Sequence, residues 1–336
     1  MKKILIADPT LRDGSHAIQH KFSTKVITTY CKAAEAAGIP IIEIGHGNGL
    51  GASSIQVGQS LLSDLEMIRT ARENLKNTKL GIFDLPGYAT INKDLKPAIE
   101  AGVDVVRVGA HCTETDLTQR HLGYVREKGK IAHAAVMMVH MAPKETLIEE
   151  CLKMESYGAQ GIILMDSAGA FLPVDVTDRI SALVNSLTIP VGFHSHNNLG
   201  MAVANSIAAV EAGALILDGT ARGLGAGAGN TPIEILVAVL HKMGYETDIN
   251  LYKILDASDI IEKELPDFKP SIKPISIISG LAGVFSGFSK HVERISKEYD
   301  IDPRDVFIEL GKRKVVAGQE DLIVEVAIEL STKREK

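Results

Sequence analysis

The chain has 336 residues, 45% of them hydrophobic, enough to bury a sizeable core as one domain or as one domain with an appendage. Its formal net charge is −6, with acids and bases interspersed and no Lys/Arg cluster, which argues against nucleic acid as a partner. No apolar run approaches the ~20 residues of a membrane span, and Asp8 and Pro9 end the apolar N-terminal stretch too early for a signal peptide, so a soluble cytoplasmic protein is expected.

Short runs rich in Val and Ile recur eight times, at 4–8, 40–45, 79–84, 105–110, 133–139, 161–167, 191–196 and 215–220. Each has the length of a strand buried on both faces. Between them lie segments of helical spacing such as 24–38 and 144–158, ending in Gly38 and Gly158, a frequent helix stop. Eight strand–helix alternations predict an α/β fold closed as a (β/α)8 TIM barrel over residues 1–262. A doubly wound open sheet is the alternative. The glycine-rich GLGAGAGN at 223–230 follows the eighth strand rather than the first and keeps the dinucleotide register poorly. It reads instead as a tight loop at the barrel mouth. Past residue 262 the pattern changes: prolines at 266, 270 and 274 precede helical stretches at 276–299, 302–314 and 318–334. Residues 263–336 are therefore expected to form a small helical domain against one rim of the barrel.

Functional groups of such a barrel gather where strands end and βα loops begin. Arg12, Asp13 and His16 follow the first strand, His46 and Asn48 the second, His111 the fourth, Asp166 and Ser167 the sixth, and His194 and His196 close the seventh. Residues two apart on a strand share a face. Val191 and Phe193 thus point to the surrounding helices, and Gly192, His194 and His196 to the barrel axis. Two imidazoles one pleat apart, with a carboxylate, make a metal set with open positions. Asp13 is the first candidate for the carboxylate and Asp166 its competitor. Such a set suits Mn²⁺, Mg²⁺, Co²⁺ or Zn²⁺ as a Lewis acid, and is also used by Fe(II) oxygenases. Arg12 is read either as half of a surface salt bridge with Asp13 or as an anion seat, since a guanidinium cannot ligate a cation. On the second reading a 2-oxo acid fits, with Arg12 meeting the oxygen that becomes negative in an enolate and His16 as general base. Asn230 can complete a metal shell or simply shape a turn. His46 and His111 are read as loop residues around the site, and His20, His121, His133, His140, His241 and His291 carry no motif. Cys112, one of three scattered cysteines, is read as a buried spectator.

The stretches TLRDGSH, GFHSHNN and GLGAGAGN resemble the superfamily of metal-dependent lyases and synthases that includes 3-hydroxy-3-methylglutaryl-CoA lyase. GHGNGLGASS, HCTETD, DSAGAFLP, NLGMAVANSIAAVEAGA and GQEDL narrow the resemblance, which runs through nearly the whole chain, to the 4-hydroxy-2-oxoacid aldolases. That resemblance implies that Asp13, His194 and His196 hold Mn²⁺ or a similar ion, that Arg12 stabilises a pyruvate enolate and that His16 takes the C4 hydroxyl proton. Arg12, Asp13, His194 and Ser167 then face the substrate, Ser167 at its carboxylate. Cleavage gives pyruvate and an aldehyde. The resemblance further implies an acylating aldehyde dehydrogenase as partner, contacted by the C-terminal domain, and an oligomer is expected. Two alternatives stand beside it: a Claisen-type acyl-CoA synthase or lyase, and a non-catalytic scaffold for a dehydrogenase. Two departures matter: Phe285 occupies the place of the tyrosine that reaches the family's substrate pocket, and Asn48 stands where Asp is expected.

Overall fold

A computed structural model of the chain describes residues 2–268 and 271–334, so that of the three prolines noted above Pro270 lies outside the described residues. Eight parallel strands close into a barrel in sequence order, the last hydrogen-bonded to the first. They are β1 (Leu5–Leu11), β2 (Ile41–Ile44), β3 (Lys79–Asp84), β4 (Val105–His111), β5 (Ile131–Met137), β6 (Ile162–Asp166), β7 (Val191–Ser195) and β8 (Ile216–Asp218). Around them run α1 (Thr24–Ala37), α2 (Asp64–Asn74), α3 (Lys96–Glu100), α4 (Gln119–Glu127), α5 (Lys144–Ser156), α6 (Pro173–Ser186), α7 (Ala202–Glu211), α8 (Ile233–Lys242) and α9 (Leu251–Glu264). The alternating pattern is therefore the closed barrel, not the open sheet.

Two boundaries shift for local reasons. β1 runs past Pro9 to Leu11, with an irregularity in its pairing to β2 between Asp8 and Leu11 that absorbs the missing proline N–H. Arg12 and Asp13 consequently sit directly at the end of β1. β5 starts and stops two residues earlier than its apolar run, because Met138 adopts a left-handed conformation (φ +54°) and turns the chain out of the sheet. Elsewhere the local signals operate as read: Ser23 caps α1 at its start, and Gly38 at φ +81° closes it.

Strand alternation builds two apolar layers. Outward residues such as Ile6, Ile42, Val106, Leu164 and Phe193 join the helix faces in the main core. Inward residues Phe83, Ala135, Ile163, Met165 and Ile216 fill the barrel. A separate apolar cluster, including Phe288, Val292, Val306, Phe307, Leu310 and Val326, lies under the C-terminal helices α10 (Pro274–Ala282), α11 (Ser289–Glu298), α12 (Pro303–Lys312) and α13 (Asp321–Arg334). The stretch 276–299, expected as one helix, is two. Gly283 (φ +66°) ends α10, and a 3-10 turn at Ser286–Phe288 precedes α11. Among the described residues no helix is long and apolar enough to cross a membrane.

Candidate active site and metal centre

At the carboxyl end of the barrel, Asp13, His194 and His196 are all buried and offer ligand atoms within 4.8 Å of one another. Asp166, the competing carboxylate, is elsewhere. It faces outward from β6 and accepts the backbone N–H groups of Ala170 and Phe171 at 2.9 and 3.1 Å, so it shapes the loop before α6. Its burial pushes the carboxyl up to about 6, those two hydrogen bonds only partly opposing the shift.

The donor set fits a divalent cation. His194 Nδ1 lies 2.8 Å from Asp218 Oδ2, which fixes Nδ1 as the protonated nitrogen and turns the Nε2 lone pair inward. That Nε2 lies 3.4 Å from His196 Nε2; in the tautomer that leaves both lone pairs free, the two nitrogens face one point, as two ligands of one cation would. Burial holds His196 in its neutral, ligating form, with its pKa down at about 4. Burial also works against a charged Asp13. Arg12 foremost, with His196, His16 and His194, outweighs it and keeps the carboxyl well below the usual carboxylate range. The Asn230 amide donates to Asp13 and to the carbonyl of Leu224, leaving its Oδ1 buried and unpartnered beside the set, as a fourth ligand would be. Gly225 makes room for this: a Cβ there would lie 2.4 Å from Asn230 Nδ2 and 2.9 Å from Asp13 Oδ2.

Arg12 is no surface salt bridge. It is buried, its Nε 3.1 Å from Glu43, its Nη1 3.0 Å from Asp13 and 3.1 Å from the Gly47 carbonyl, and its guanidinium 4.6 Å from the centre of the Phe83 ring. Nη2 is buried with no partner. A buried guanidinium with one donor free can receive an anionic oxygen.

His16 lies at the floor of a cleft of about 1250 Å³ between the barrel mouth and the C-terminal helices. Lys290 of α11 donates to the His16 carbonyl at 3.1 Å. Burial lowers the pKa of His16, with Asp13 opposing, so the imidazole is neutral at pH 7 and able to accept a proton. Gly47 leaves space for the ring, since a Cβ there would lie 2.4 Å from it. Gly47→Ala is therefore expected to displace the imidazole and lower kcat about a hundredfold with metal affinity unchanged, because ångström misplacements cost about that much. Steady-state kinetics alongside a Mn²⁺ titration check this.

Two histidines outside the triad explain how the neighbouring loop is held. His20 and His46 stack at 3.6 Å between ring centres, and His20 lies 5.0 Å from His16. The N–H of Gly47 donates to His20 Nδ1 at 3.3 Å, and that of Asn48 to His46 Nδ1 at 3.0 Å, so both rings must be neutral there. Burial lowers them accordingly, His20 to about 2 and His46 to about 4. Since His46 titrates near 6.5 when unfolded, its neutral form contributes stability above that pH, and the contribution is lost as the pH falls from 6.5 to about 4. His46→Gln should thus destabilise the metal-free protein at pH 7.5. That deficit should shrink by roughly 3 kcal/mol by pH 4, read from urea unfolding of both proteins. A deficit that stayed constant with pH would contradict the neutral assignment.

The remaining residues fall as follows. Ser167 Oγ accepts from the Met138 N–H at 3.0 Å, and its carbonyl accepts from Ser286 at 3.2 Å, joining β6 to the C-terminal helices. Phe285 packs edge-on against Phe288 at 5.7 Å, one residue from that contact. His111 meets its loop neighbours, Thr113 at 2.9 Å and the Cys112 thiol at 3.9 Å. Cys112 donates to the Met138 carbonyl, and burial pushes its thiol up to about 11, so it is inert.

Three residues at the site carry no motif: Glu43, Arg107 and Asp218. All are buried and project into the barrel, Asp218 onto His194 and Glu43 onto Arg12. Their trace in the sequence is slight but physical: each is a single charge inside an otherwise apolar strand, IIEI, VVRVGA and ILD.

A family model described as HMGL-like matches residues 3–261. The chain belongs to that family. A second model, described as a DmpG-like communication domain, matches residues 270–332. Relatives named 4-hydroxy-2-oxovalerate aldolase include one from Pectobacterium atrosepticum, 58% identical over 99% of this chain and 97% of its own length. Another, from Spirochaeta aurantia, is 57% identical over 98% and 97%, and one from Moorella thermoacetica 46% over 99% and 98%. Within its family the chain is thus a carbon–carbon lyase of the aldolase group. Solved structures agree in fold. The carboxyl transferase domain of Rhizobium etli pyruvate carboxylase superposes with a TM-score of 0.83 at 17% identity, covering 99% of this chain, which spans 61% of that one. The N-terminal domain of a putative aldolase from Bacteroides vulgatus gives 0.74 at 22% identity over 89% of this chain and 98% of its own.

Proposed function

We propose that this lyase cleaves a 4-hydroxy-2-oxo acid to pyruvate and an aldehyde, with Asp13, His194 and His196 holding Mn²⁺ or a similar divalent ion. The observation that carries the reading is a cation-binding triad directly beside a buried arginine with one free donor, Nη2. Such a pair accommodates the carboxylate and keto group of a 2-oxo acid. When bound, the ion supplies Lewis acidity to the keto oxygen. The protein does the rest. Arg12 meets the negative charge that grows on that oxygen as the C3–C4 bond breaks, in a dry setting where such contacts count most. His16 accepts the C4 hydroxyl proton. The Ser167 hydroxyl faces the substrate carboxylate, and Phe285 borders the space for the aldehyde end. Here the aromatic ring supplies shape without the hydroxyl of a tyrosine.

The barrel, residues 1–262, carries the chemistry in this proposal. The helical domain, residues 263–336, is the docking element for an acylating aldehyde dehydrogenase that consumes the aldehyde. That assignment draws on the match to a communication domain. Cytoplasmic location and an oligomeric assembly belong to the same proposal. The test is direct: purified protein with Mn²⁺, several 4-hydroxy-2-oxo acids, and lactate dehydrogenase with NADH to report pyruvate. Silence with every substrate would sink the reading.

A further inference from the structure

We propose that Arg107 is a positioning residue that locks the orientation of the metal-binding His194 to that of the anion-binding Arg12. The proposal rests on the aldolase reading for its purpose, but not for its test. β4 and β8 stand opposite each other in the closed order of eight strands, so a residue joining them must cross the barrel. Arg107, on β4, does so. Its Nη1 and Nη2 grip both oxygens of Asp218 on β8, the second at 2.9 Å. Its Nε lies 2.9 Å from Glu43 Oε1, an ion-pair approach rather than an aligned hydrogen bond.

From there the contacts run in two directions. Glu43 gives its other oxygen to Arg12 Nε at 3.1 Å, and Arg12 reaches Asp13 at 3.0 Å. Asp218 holds His194 Nδ1 at 2.8 Å. The sequence of charges, Asp13, Arg12, Glu43, Arg107, Asp218, His194, therefore begins and ends on a residue of the cation-binding triad. Acids and bases alternate along it, and every member is buried. Six buried polar groups in one chain cost much in desolvation, more than an apolar filling would. Stability alone therefore explains the arrangement poorly. Orientation explains it: a histidine ligand depends on the partner of its second nitrogen, and removing such partners typically weakens metal binding 10- to 100-fold. Arg107 is the only link on this path between the Asp218 side and the Glu43 side. A lysine there keeps the charge but cannot bridge two carboxylates in a fixed plane.

The test uses the full chain, stripped of metal. Free Mn²⁺ followed by its electron paramagnetic resonance signal gives the Mn²⁺ Kd without turnover. Calorimetry of oxalate binding to the Mn²⁺-loaded protein reports the anion seat. Arg107→Met is expected to weaken Mn²⁺ binding roughly 10- to 100-fold and to weaken oxalate binding beyond that. Adding Arg107→Met to Asp218→Asn should weaken Mn²⁺ binding no further than Asp218→Asn alone, because Arg107 acts on the ion through Asp218. Phe83→Leu, which removes the ring under the Arg12 guanidinium and breaks no ion pair of the series, should weaken oxalate more than it weakens Mn²⁺. If Arg107→Met does not fold, Arg107→Lys and its combination with Asp218→Asn give the same comparison. A Mn²⁺ Kd within twofold of wild type, or losses that multiply in the double variant, would overturn the proposal. Wild-type protein that binds Mn²⁺ but releases no pyruvate would instead overturn the aldolase reading, leaving the Arg107 comparison standing.

Discussion

Asp13→Asn should leave a folded protein that no longer retains its divalent ion and turns over roughly a thousandfold more slowly. The magnitude follows from the several kcal/mol that a Lewis-acidic ion contributes to a developing oxyanion, at about 1.4 kcal/mol per factor of ten. The substitution keeps the volume of the side chain and removes the one carboxylate in the triad. It also sets an amide in front of the Asn230 amide, which now donates to Asp13. Two amides can rearrange to share that contact, so the fold survives where the charge does not. Arg12 keeps Glu43 as a counter-charge, which limits the structural damage further. The measurements are a Mn²⁺ titration by calorimetry and pyruvate release at saturating metal. Tight Mn²⁺ binding by the variant would mean that the ion, if any, sits elsewhere.

His16→Ala should separate proton transfer from metal binding. The loss expected for a positioned general base is roughly 10²- to 10⁴-fold in kcat. The Mn²⁺ Kd should not move, because the imidazole belongs to the cleft floor rather than the triad. Added imidazole should restore part of the rate, since the deleted ring leaves its own volume open to the cleft. The wild-type pH profile carries a matching sign. His16 is shifted below the ordinary histidine value by burial, so its neutral, proton-accepting form dominates at pH 7. A bound cation pushes it the same way. The acid limb of kcat/KM must therefore fall below pH 6.5, and it should vanish from the residual activity of the variant. An acid limb above pH 7 would assign the base to another group.

These two substitutions probe residues that stand three apart at the end of one strand, yet they report on different elements of the site. Asp13 turns inward to His194 and His196, which come from β7 on the far side of the intervening β8. His16 comes off the first turn after the strand, a 3-10 segment at Asp13–Ile18, and meets the C-terminal domain through the Lys290 contact to its carbonyl. A single short loop thus links the cation-binding triad, His16 and the C-terminal helices.

Much of this was written locally and can be read locally. Eight apolar runs separated by helical segments specify a parallel α/β fold with a barrel as the first reading, because strand and helix periodicities are properties of neighbouring residues. The inward pair His194 and His196 follows from the pleat of one strand, and Arg12, Asp13 and His16 from the end of another. What local pattern left open was settled by approach in three dimensions. Asp13 was the first candidate carboxylate and Asp166 its competitor at another strand end; the first turns into the mouth, while the second is consumed by its own loop. That Arg12 is buried rather than part of a surface salt bridge emerged only when Glu43, 31 residues away, Gly47 and Phe83 enclosed it. The run at 276–299 is divided at Gly283, whose carbonyl accepts from His140 of the barrel. Arg107 and Asp218 are separated by 111 residues, so no window of sequence contains their contact. Their partnership exists because closing the barrel places β4 across from β8, and only that closure makes a buried charge on each strand tolerable.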